Sequence, residues 1–304
     1  MIIDAQIHIW QADRPDRPWP KDGSKPQLPY PFSAEDMIAK MDESGVDAAV
    51  IVPPPWEGNR NDYALESACR YPTRFGVMGL VDLDRPETRS LIPGWRKRPG
   101  MLGVRITFSR RQAAWLKDGT ADWFWREAEE SRIPLMLHVP QAEKKRAMGE
   151  IAKRHPALPL IVDHFGLSTE IIKSGEIDEA IDATIELARF SNVYVKVSSA
   201  ATLSREPYPF RDFDHHIRRV VAAFGARRCF WGTDITKALD RCSYRERVTH
   251  FTEALEFLTS DDKEWIMGKA LLECLRWKRD EFPLGPSRAD AIDKLTHPLE
   301  SRPL

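Results

Sequence analysis

The 304-residue chain lacks the features that mark several large classes of protein. No stretch approaches the ~18 consecutive apolar residues of a membrane-spanning helix, and the opening MIIDAQIHIW has no basic segment of the kind that starts a signal peptide. Lysine and arginine total 45 against 46 aspartates and glutamates, a balance that argues against nucleic acid or a membrane as a partner. No GxGxxG or Walker A motif follows an apolar run, which argues against a nucleotide-binding sheet.

Cysteine is also scarce, and its four copies show no CxxC spacing. So few cysteines over this length do not make a disulfide scaffold, and they predict a reducing, cytoplasmic location. Hydrophobic residues make up 42% of the chain, which is enough for a large core. We therefore expect a globular protein without a disulfide framework.

Eight short apolar runs are present, and segments with helical periodicity separate them. The runs are Ile2–Ile9, Ala48–Val52, Phe75–Val81, Leu102–Phe108, Pro134–Val139, Leu158–Val162, Val193–Val197 and Cys229–Gly232. Strands that alternate with helices predict parallel βαβ units. Eight such units predict an α/β fold of the (β/α)8 TIM-barrel type rather than an open doubly wound sheet. A further helical segment, Glu264–Lys278, predicts an extra C-terminal helix.

The repeat predicts a single barrel domain over residues 1–280. Residues 11–33 are rich in proline, aspartate and lysine and follow the first strand directly. Because loops after strands build the active-site face of a barrel, we predict that this inserted loop borders the site. Residues 281–304 are polar and rich in proline, and they predict a C-terminal tail. A homo-oligomer is compatible with this sequence.

Polar side chains lie in or directly after the apolar runs, where a barrel places its active site. Strand 1 reads IDAQIHI, and its period of two puts Asp4, Gln6 and His8 on one face. Burying such a face costs free energy unless it serves a site. The adjacent pair His215-His216 begins a predicted helix and is given no functional role. The remaining polar groups at strand ends are His138, Asp163, His164 and Asp234.

Two cations in the strands have two interpretations. Arg105 in strand 4 and Lys196 in strand 7 either bind a substrate carboxylate or pair with Asp4 or Asp163. A structural role is the first expectation for Asp163 itself. Trp10, at the start of the inserted loop, is a candidate wall of a substrate pocket.

Together these residues resemble the amidohydrolase superfamily. The motifs that carry the resemblance are the DAQIHIW start, the strand-5 histidine, DHFG after strand 6 and WGTD after strand 8. They are most similar to the amidohydrolase-2 branch, which includes pyrone-dicarboxylate lactonases and sugar-lactonase-like hydrolases. The resemblance spans Ile2 to about Lys278. It implies a barrel whose catalytic centre is made of His8, His138, His164 and Asp234.

One position departs from the family pattern. The first histidine of the strand-1 HxH motif is Gln6 in this chain, and an amide is a weaker metal ligand than imidazole. The resemblance covers metal-dependent decarboxylase-like and hydratase-like members as well as metal-free lactonase-like members, and Gln6 favours an enzyme without a cofactor. If a single divalent ion such as zinc or manganese is present, the predicted ligands are His8, His138 and Asp234.

The favoured hypothesis is a hydrolase that opens a small carboxylated lactone. Asp234 would take a proton from the attacking water, and the three histidines would polarise the carbonyl. Gln6 would orient the water or bind the developing oxyanion, while Arg105 and Lys196 would hold the substrate carboxylate. Two alternatives stay open. One is a metal-dependent decarboxylase or hydratase of an aromatic-derived acid, and the other is a non-catalytic barrel that retains a relic site.

Overall fold

The computed structural model describes residues 1–21, 25–108 and 112–278. One sheet contains eight strands in sequential order, and each neighbouring pair is parallel. Asp234 N donates to Gln6 O (3.0 Å) and His8 N donates to Ile235 O (2.8 Å), which joins the first strand to the residues after the last. The fold is therefore a (β/α)8 barrel, as predicted. The strands are β1 (Ile3–Ile7), β2 (Ala48–Ile51), β3 (Phe75–Leu80), β4 (Met101–Thr107), β5 (Leu135–His138), β6 (Leu160–Val162), β7 (Val193–Ser198) and β8 (Cys229–Gly232).

Helices connect the strands around the outside of the barrel, and none of them in the described residues is long and apolar enough to cross a membrane. The first six are α1 (Ala34–Ser44), α2 (Asp62–Arg70), α3 (Pro86–Leu91), α4 (Asp122–Glu130), α5 (Ala142–Arg154) and α6 (Thr169–Ser174). The others are α7 (Ile177–Ile185), α8 (Ala200–Leu203), α9 (Asp214–Phe224), α10 (Tyr244–Thr249), α11 (Ser260–Glu264) and α12 (Ala270–Leu275).

Local signals in the sequence explain where α1 begins and ends. Asp36 N donates to the Ser33 hydroxyl (3.0 Å), and the Asp36 carboxylate accepts from Ser33 N (2.9 Å). This reciprocal capping satisfies backbone donors that the first helical turn leaves without partners. Gly45 stops the helix in the left-handed region at φ 71°, which a residue without a Cβ adopts at little cost.

The extra C-terminal helix is interrupted rather than continuous. A π-helical turn at Trp265–Lys269 separates α11 from α12. Residues of α12 pack with Ile3, at the start of β1, and with Trp277 in one apolar cluster. This segment therefore covers the end of the barrel where the strands begin, and the site is left to the opposite end. The predicted tail, residues 281–304, lies outside the described residues.

The polar face of β1 differs from the prediction. Simple alternation groups Asp4 with Gln6 and His8, but the pairing of β1 with β2 shifts register between Asp4 and Ile7. The Asp4 carboxylate accepts hydrogen bonds from the Thr233 hydroxyl and the Tyr244 hydroxyl, the latter in α10. Burial raises the pKa of Asp4 to about 6. Asp4 therefore anchors a helix to the barrel. Only Gln6 and His8 contact the other polar groups at the mouth of the barrel, which is the end where the carboxyl ends of the strands meet.

The inserted loop is tied to the barrel at several points. The buried Arg17 donates to Glu57 (3.2 Å) and to both carboxylate oxygens of Asp62 (2.6 and 2.8 Å). Thr236, after β8, donates to the Gln27 side chain (3.0 Å). These contacts fix the loop over the carboxyl ends of the strands.

Substituting alanine for Gly103 in β4 is expected to lower the free energy of unfolding by about 1–3 kcal/mol. A Cβ at this position would lie 2.4 Å from the Pro134 carbonyl oxygen and 2.6 Å from the Met78 methyl group. Gly94→Ala is the matched control, because a Cβ there meets no heavy atom within 4 Å. Urea denaturation of both variants measures the effect, and equal stability of the two would contradict this account.

Candidate active site

Asp234 is the centre of a buried polar cluster at the carboxyl ends of the strands. It follows β8 in the left-handed region (φ 57°) and is only 4% exposed. Its Oδ1 accepts a hydrogen bond from Gln6 Nε2 (2.7 Å) and lies 3.0 Å from His8 Nε2 and 3.8 Å from His164 Nε2. The carboxyl ends of β1, β6 and β8 therefore bring together four predicted site residues. Gln6, His8 and His164 surround Asp234.

The orientation of the Gln6 amide is fixed by Lys196. The ammonium of Lys196 donates to Gln6 Oε1, and an ammonium group can only donate, so the amide oxygen must face it. The amide nitrogen then faces the remaining polar groups of the mouth, 3.4 Å from His8 Nε2 and 3.3 Å from His164 Nε2. Gln6 thus places two N–H donors between one carboxylate and two imidazoles.

His8 is oriented by a backbone carbonyl so that its outer nitrogen faces Asp234. Its Nδ1 lies 2.7 Å from the Val52 carbonyl oxygen, an acceptor, so Nδ1 carries a hydrogen. A neutral His8 then accepts at Nε2 from Gln6, whereas a protonated His8 donates to Asp234. Burial acts to raise the pKa of Asp234, but His164, His8 and Lys237 outweigh it and hold that pKa well below its usual range. Asp234 is therefore ionised at neutral pH.

Two further histidines are neutral at physiological pH because burial disfavours their charged forms. Burial lowers the pKa of His164 to about 3 and that of His138 to about 4. The His164 ring is oriented by the hydroxyls of Ser198 (2.8 Å) and Ser199 (2.9 Å), both at its Nδ1. The ring of His138 lies 6.3 Å from that of His164, and its Nε2 lies 3.4 Å from the Leu167 carbonyl oxygen. His138 therefore borders the cluster and makes no hydrogen bond to Asp234.

The burial of His138 predicts a loss of stability in mild acid. Its pKa is about 4 in the folded protein and near 6.5 when unfolded, so the unfolded chain binds more protons between these values. Its contribution is fully present above pH 6.5 and falls as the pH drops, by roughly 2 kcal/mol at pH 5. Chemical denaturation at pH 7 and pH 5 measures this, and His138→Asn should reduce the difference between the two pH values by roughly 2 kcal/mol, while the buried His164 and His216 keep their own contributions. His155→Asn, at a half-buried pair with Glu129, is the control that should keep the whole difference.

Lys196 and Arg105 both pair with Asp163, which favours the ion-pair interpretation for Lys196 and leaves both interpretations open for Arg105. Lys196 Nζ lies 2.7 Å from Asp163 Oδ1, and both side chains are fully buried. Arg105 Nε donates to Asp163 Oδ2 (3.1 Å), and its side chain is 14% exposed. The expectation that Lys196 binds a substrate carboxylate is therefore not supported, because its ammonium is enclosed by Asp163 and Gln6. Arg105 keeps some exposure at the mouth.

Trp10 is also placed differently from the expectation. It is 1% exposed and packs edge-on against Trp56, with ring centroids 5.1 Å apart. Trp56 in turn lies 6.1 Å from the His8 ring. The burial of Trp10 argues against direct contact with a substrate, and the ring instead packs behind Trp56.

Lys237 is a residue of the mouth that the sequence analysis did not single out. Its ammonium lies 3.9 Å from Asp234 Oδ2, and its side chain is 41% exposed. The available signal was its position three residues after Asp234, in the loop that follows β8. It brings an exposed positive charge to the edge of the cluster.

The donor set of the mouth does not fit the predicted metal site in this arrangement. His8 Nε2, His164 Nε2 and Asp234 Oδ1 all face the Gln6 amide nitrogen, which carries two hydrogens and has no lone pair for an ion. The predicted set of His8, His138 and Asp234 is not gathered around one point. Within the described ranges, only Asp178, His215 and His216 form a group of three or more potential ligands whose atoms all lie within 4.8 Å of one another.

Comparisons with known proteins agree with this architecture. The model of the amidohydrolase family matches residues 3–270. The L-fucono-1,5-lactonase of Burkholderia ambifaria is 29% identical over 248 residues, which cover 76% of this chain and 79% of that protein.

Two solved structures share the fold. A probable 2-pyrone-4,6-dicarboxylic acid hydrolase from Acinetobacter baumannii, with citric acid bound, has a TM-score of 0.74 at 18% identity. That match covers 90% of this chain and 99% of the other. An amidohydrolase from Burkholderia multivorans with bound zinc has a TM-score of 0.75 at 20% identity, with coverage of 91% and 100%.

The Asp178–His215–His216 group makes a single divalent ion compatible with this chain, without identifying the ion. The family model spans nearly all of the described residues and includes every strand of the barrel. The chain therefore belongs to the amidohydrolase family, and it is an enzyme.

Proposed function

We propose that this enzyme hydrolyses a small carboxylated lactone, with Asp234 as the general base. The observation that carries the proposal is the convergence of Gln6, His8 and His164 on the buried, ionised Asp234. The similarity to an L-fucono-1,5-lactonase supports lactone opening as the reaction class.

Lactone hydrolysis transfers one proton from water to the leaving oxygen and breaks the C–O bond of the ring. Water attacks the lactone carbonyl and gives its proton to Asp234, and the ring C–O bond breaks as the tetrahedral intermediate collapses. The proton then passes to the leaving alkoxide, so the product is a hydroxy acid. His8 contacts Asp234 at 3.0 Å and can share that proton, since its Nε2 either accepts or donates. The Gln6 amide nitrogen, which faces this end of the barrel, is the N–H donor for the developing oxyanion, and the neutral His164 and His138 border it without adding a full charge.

Two exposed or partly exposed cations support a carboxylate on the substrate. Arg105 approaches the cluster around Asp234 from β4, and Lys237 approaches it from the loop after β8. A planar guanidinium can bind a carboxylate through two hydrogen bonds, and an ammonium adds a second positive charge. We assign substrate binding to these two residues and give Lys196 a supporting role behind Gln6.

We further propose that the mouth works without a resident ion. The Gln6 amide nitrogen takes the central position among His8, His164 and Asp234, and Lys196 keeps it from turning its oxygen toward them. No step of the mechanism above is assigned to a metal. Metal analysis of the purified enzyme, with activity measured before and after chelation, tests this. A stoichiometric ion whose removal abolishes activity would overturn it.

A lactone panel tests the function directly. Pyrone dicarboxylates, muconolactones and uncharged aldonolactones are supplied to the purified chain, while acid production and released CO₂ are measured together. We expect acid production without CO₂, and faster turnover of carboxylated members. Release of CO₂ from an aromatic acid would instead indicate the decarboxylase alternative, and exclusive turnover of uncharged lactones would refute the assignment of Arg105 and Lys237.

A further inference from the structure

A second group of potential ligands lies away from the mouth, between α7 and α9. Asp178 stands in the first turn of α7, and His215 and His216 stand in the first turn of α9. Each offers one ligand atom, and the three atoms lie within 4.8 Å of one another. Two imidazoles and one carboxylate form a ligand set that suits zinc and related divalent ions.

The buried member of this group has no partner for its ring nitrogen. His216 is only 4% exposed, and its Nδ1 accepts or donates no hydrogen bond among the described residues. The nearest oxygen of Asp178 is 3.7 Å away, which is too far for a hydrogen bond. A buried polar atom without a partner is uncommon and calls for an explanation.

Charges of both signs surround the three residues, and their arrangement is compatible with a bound cation. Arg219 Nη1 donates to Asp178 Oδ1 (2.6 Å), and the same guanidinium also donates to Asp182. Asp182 can therefore retain Arg219 when Asp178 turns toward an ion. Asp212 adds a further negative charge in the electrostatic environment of His216.

We propose that Asp178, His215 and His216 bind a divalent transition-metal ion such as Zn²⁺, which links α7 to α9. Tetrahedral bonds of about 2.1 Å place ligand atoms about 3.4 Å apart, close to the 3.7 Å between His216 Nδ1 and Asp178 Oδ1. Water completes the coordination at the exposed side, where Asp178 and His215 reach the surface. The site is independent of the lactonase proposal.

Cobalt titration of the full chain tests this site, because tetrahedral Co²⁺ has visible d–d absorption bands. After treatment with EDTA, we expect one equivalent of Co²⁺ to bind and Zn²⁺ to displace it. Asp178→Asn and His215→Gln should each weaken this binding at least tenfold, and neither substitution removes a buried side chain. Arg219→Gln should tighten it, because a competing cation is removed. His155→Gln is the matched control at a half-buried histidine outside the group, paired with Glu129, and it should leave the affinity unchanged.

Two results would overturn the proposal. One is the absence of Co²⁺ and Zn²⁺ binding up to millimolar concentration. The other is binding that keeps its affinity in both Asp178→Asn and His215→Gln, which would place the ion elsewhere, including the mouth. Thermal unfolding gives a second measurement: Zn²⁺ should raise the Tm of the unmodified chain and of His155→Gln, and should leave the Tm of His215→Gln unchanged.

Discussion

Asp234→Asn is expected to lower kcat/KM for lactone hydrolysis by about 10²- to 10⁴-fold. The ionised carboxylate is the only group in the proposed mechanism that takes the proton from water, and an amide cannot take it. Asparagine has nearly the same shape, and its oxygen can still accept from Gln6, which donates to Oδ1 at 2.7 Å in the present structure. The loss should therefore appear in kcat more than in KM.

The control for this substitution is Asp240→Asn in the same loop. Asp240 is exposed, so the change removes a carboxylate without touching the buried cluster. Its kcat/KM should stay within twofold of the unmodified enzyme. Circular dichroism and Tm establish that Asp234→Asn is folded. Near-normal hydrolysis by a folded Asp234→Asn enzyme would refute the assignment of the general base.

Lys196→Met is expected to lower the free energy of unfolding by about 3–5 kcal/mol. Lys196 and Asp163 are both fully buried and 2.7 Å apart. Burial acts to raise the pKa of Asp163, but Lys196 and Arg105 outweigh it and hold that pKa well below its usual range. Without Lys196 the carboxylate keeps only one strong cationic partner, Arg105, in a site that water does not reach. The substitution also frees the Gln6 amide, so activity should fall as well.

Two further variants distinguish the loss of the Asp163–Lys196 ion pair from a general destabilisation of the barrel. Lys237→Met removes an exposed lysine from the same mouth and should change stability by no more than about 0.5 kcal/mol. The double variant Asp163→Leu/Lys196→Met removes both charges, so it should be less destabilised than the sum of the two single variants. Urea denaturation of the unmodified enzyme, of Asp163→Leu, of Lys196→Met and of the double variant completes the cycle. Strict additivity would contradict a direct interaction between Asp163 and Lys196.

Much of the barrel was predictable because its signals are local. Apolar runs with strand-forming residues mark each strand. The observed start and end of every strand lie within two residues of the predicted run. Ser33 and Gly45 fix the ends of α1 through capping contacts within a few residues of the chain. The bounds of the short α3, α6 and α8 within the segments between strands could not be predicted, because helices of four to six residues carry little periodicity.

The site could be predicted in part, since parallel strands bring their carboxyl ends to one edge. Gln6, His8, His164 and Asp234 do meet there. The split between Asp4 and Gln6 escaped prediction, because alternation assumes an unbroken register and β1 shifts its pairing. His216 was set aside as part of a helix start, since the sequence does not show that its ring is buried.

The sequence by itself determined the barrel, the family resemblance and the polar residues that close the strands, because each depends on local patterns or short motifs. Only the tertiary structure decided what those residues do to one another. Arg105, Asp163 and Lys196 are far apart in the chain, and their pairing depends on the order of β4, β6 and β7 around the barrel. That pairing encloses the Lys196 ammonium and orients the Gln6 amide toward Asp234, the ionised carboxylate that we propose as the base.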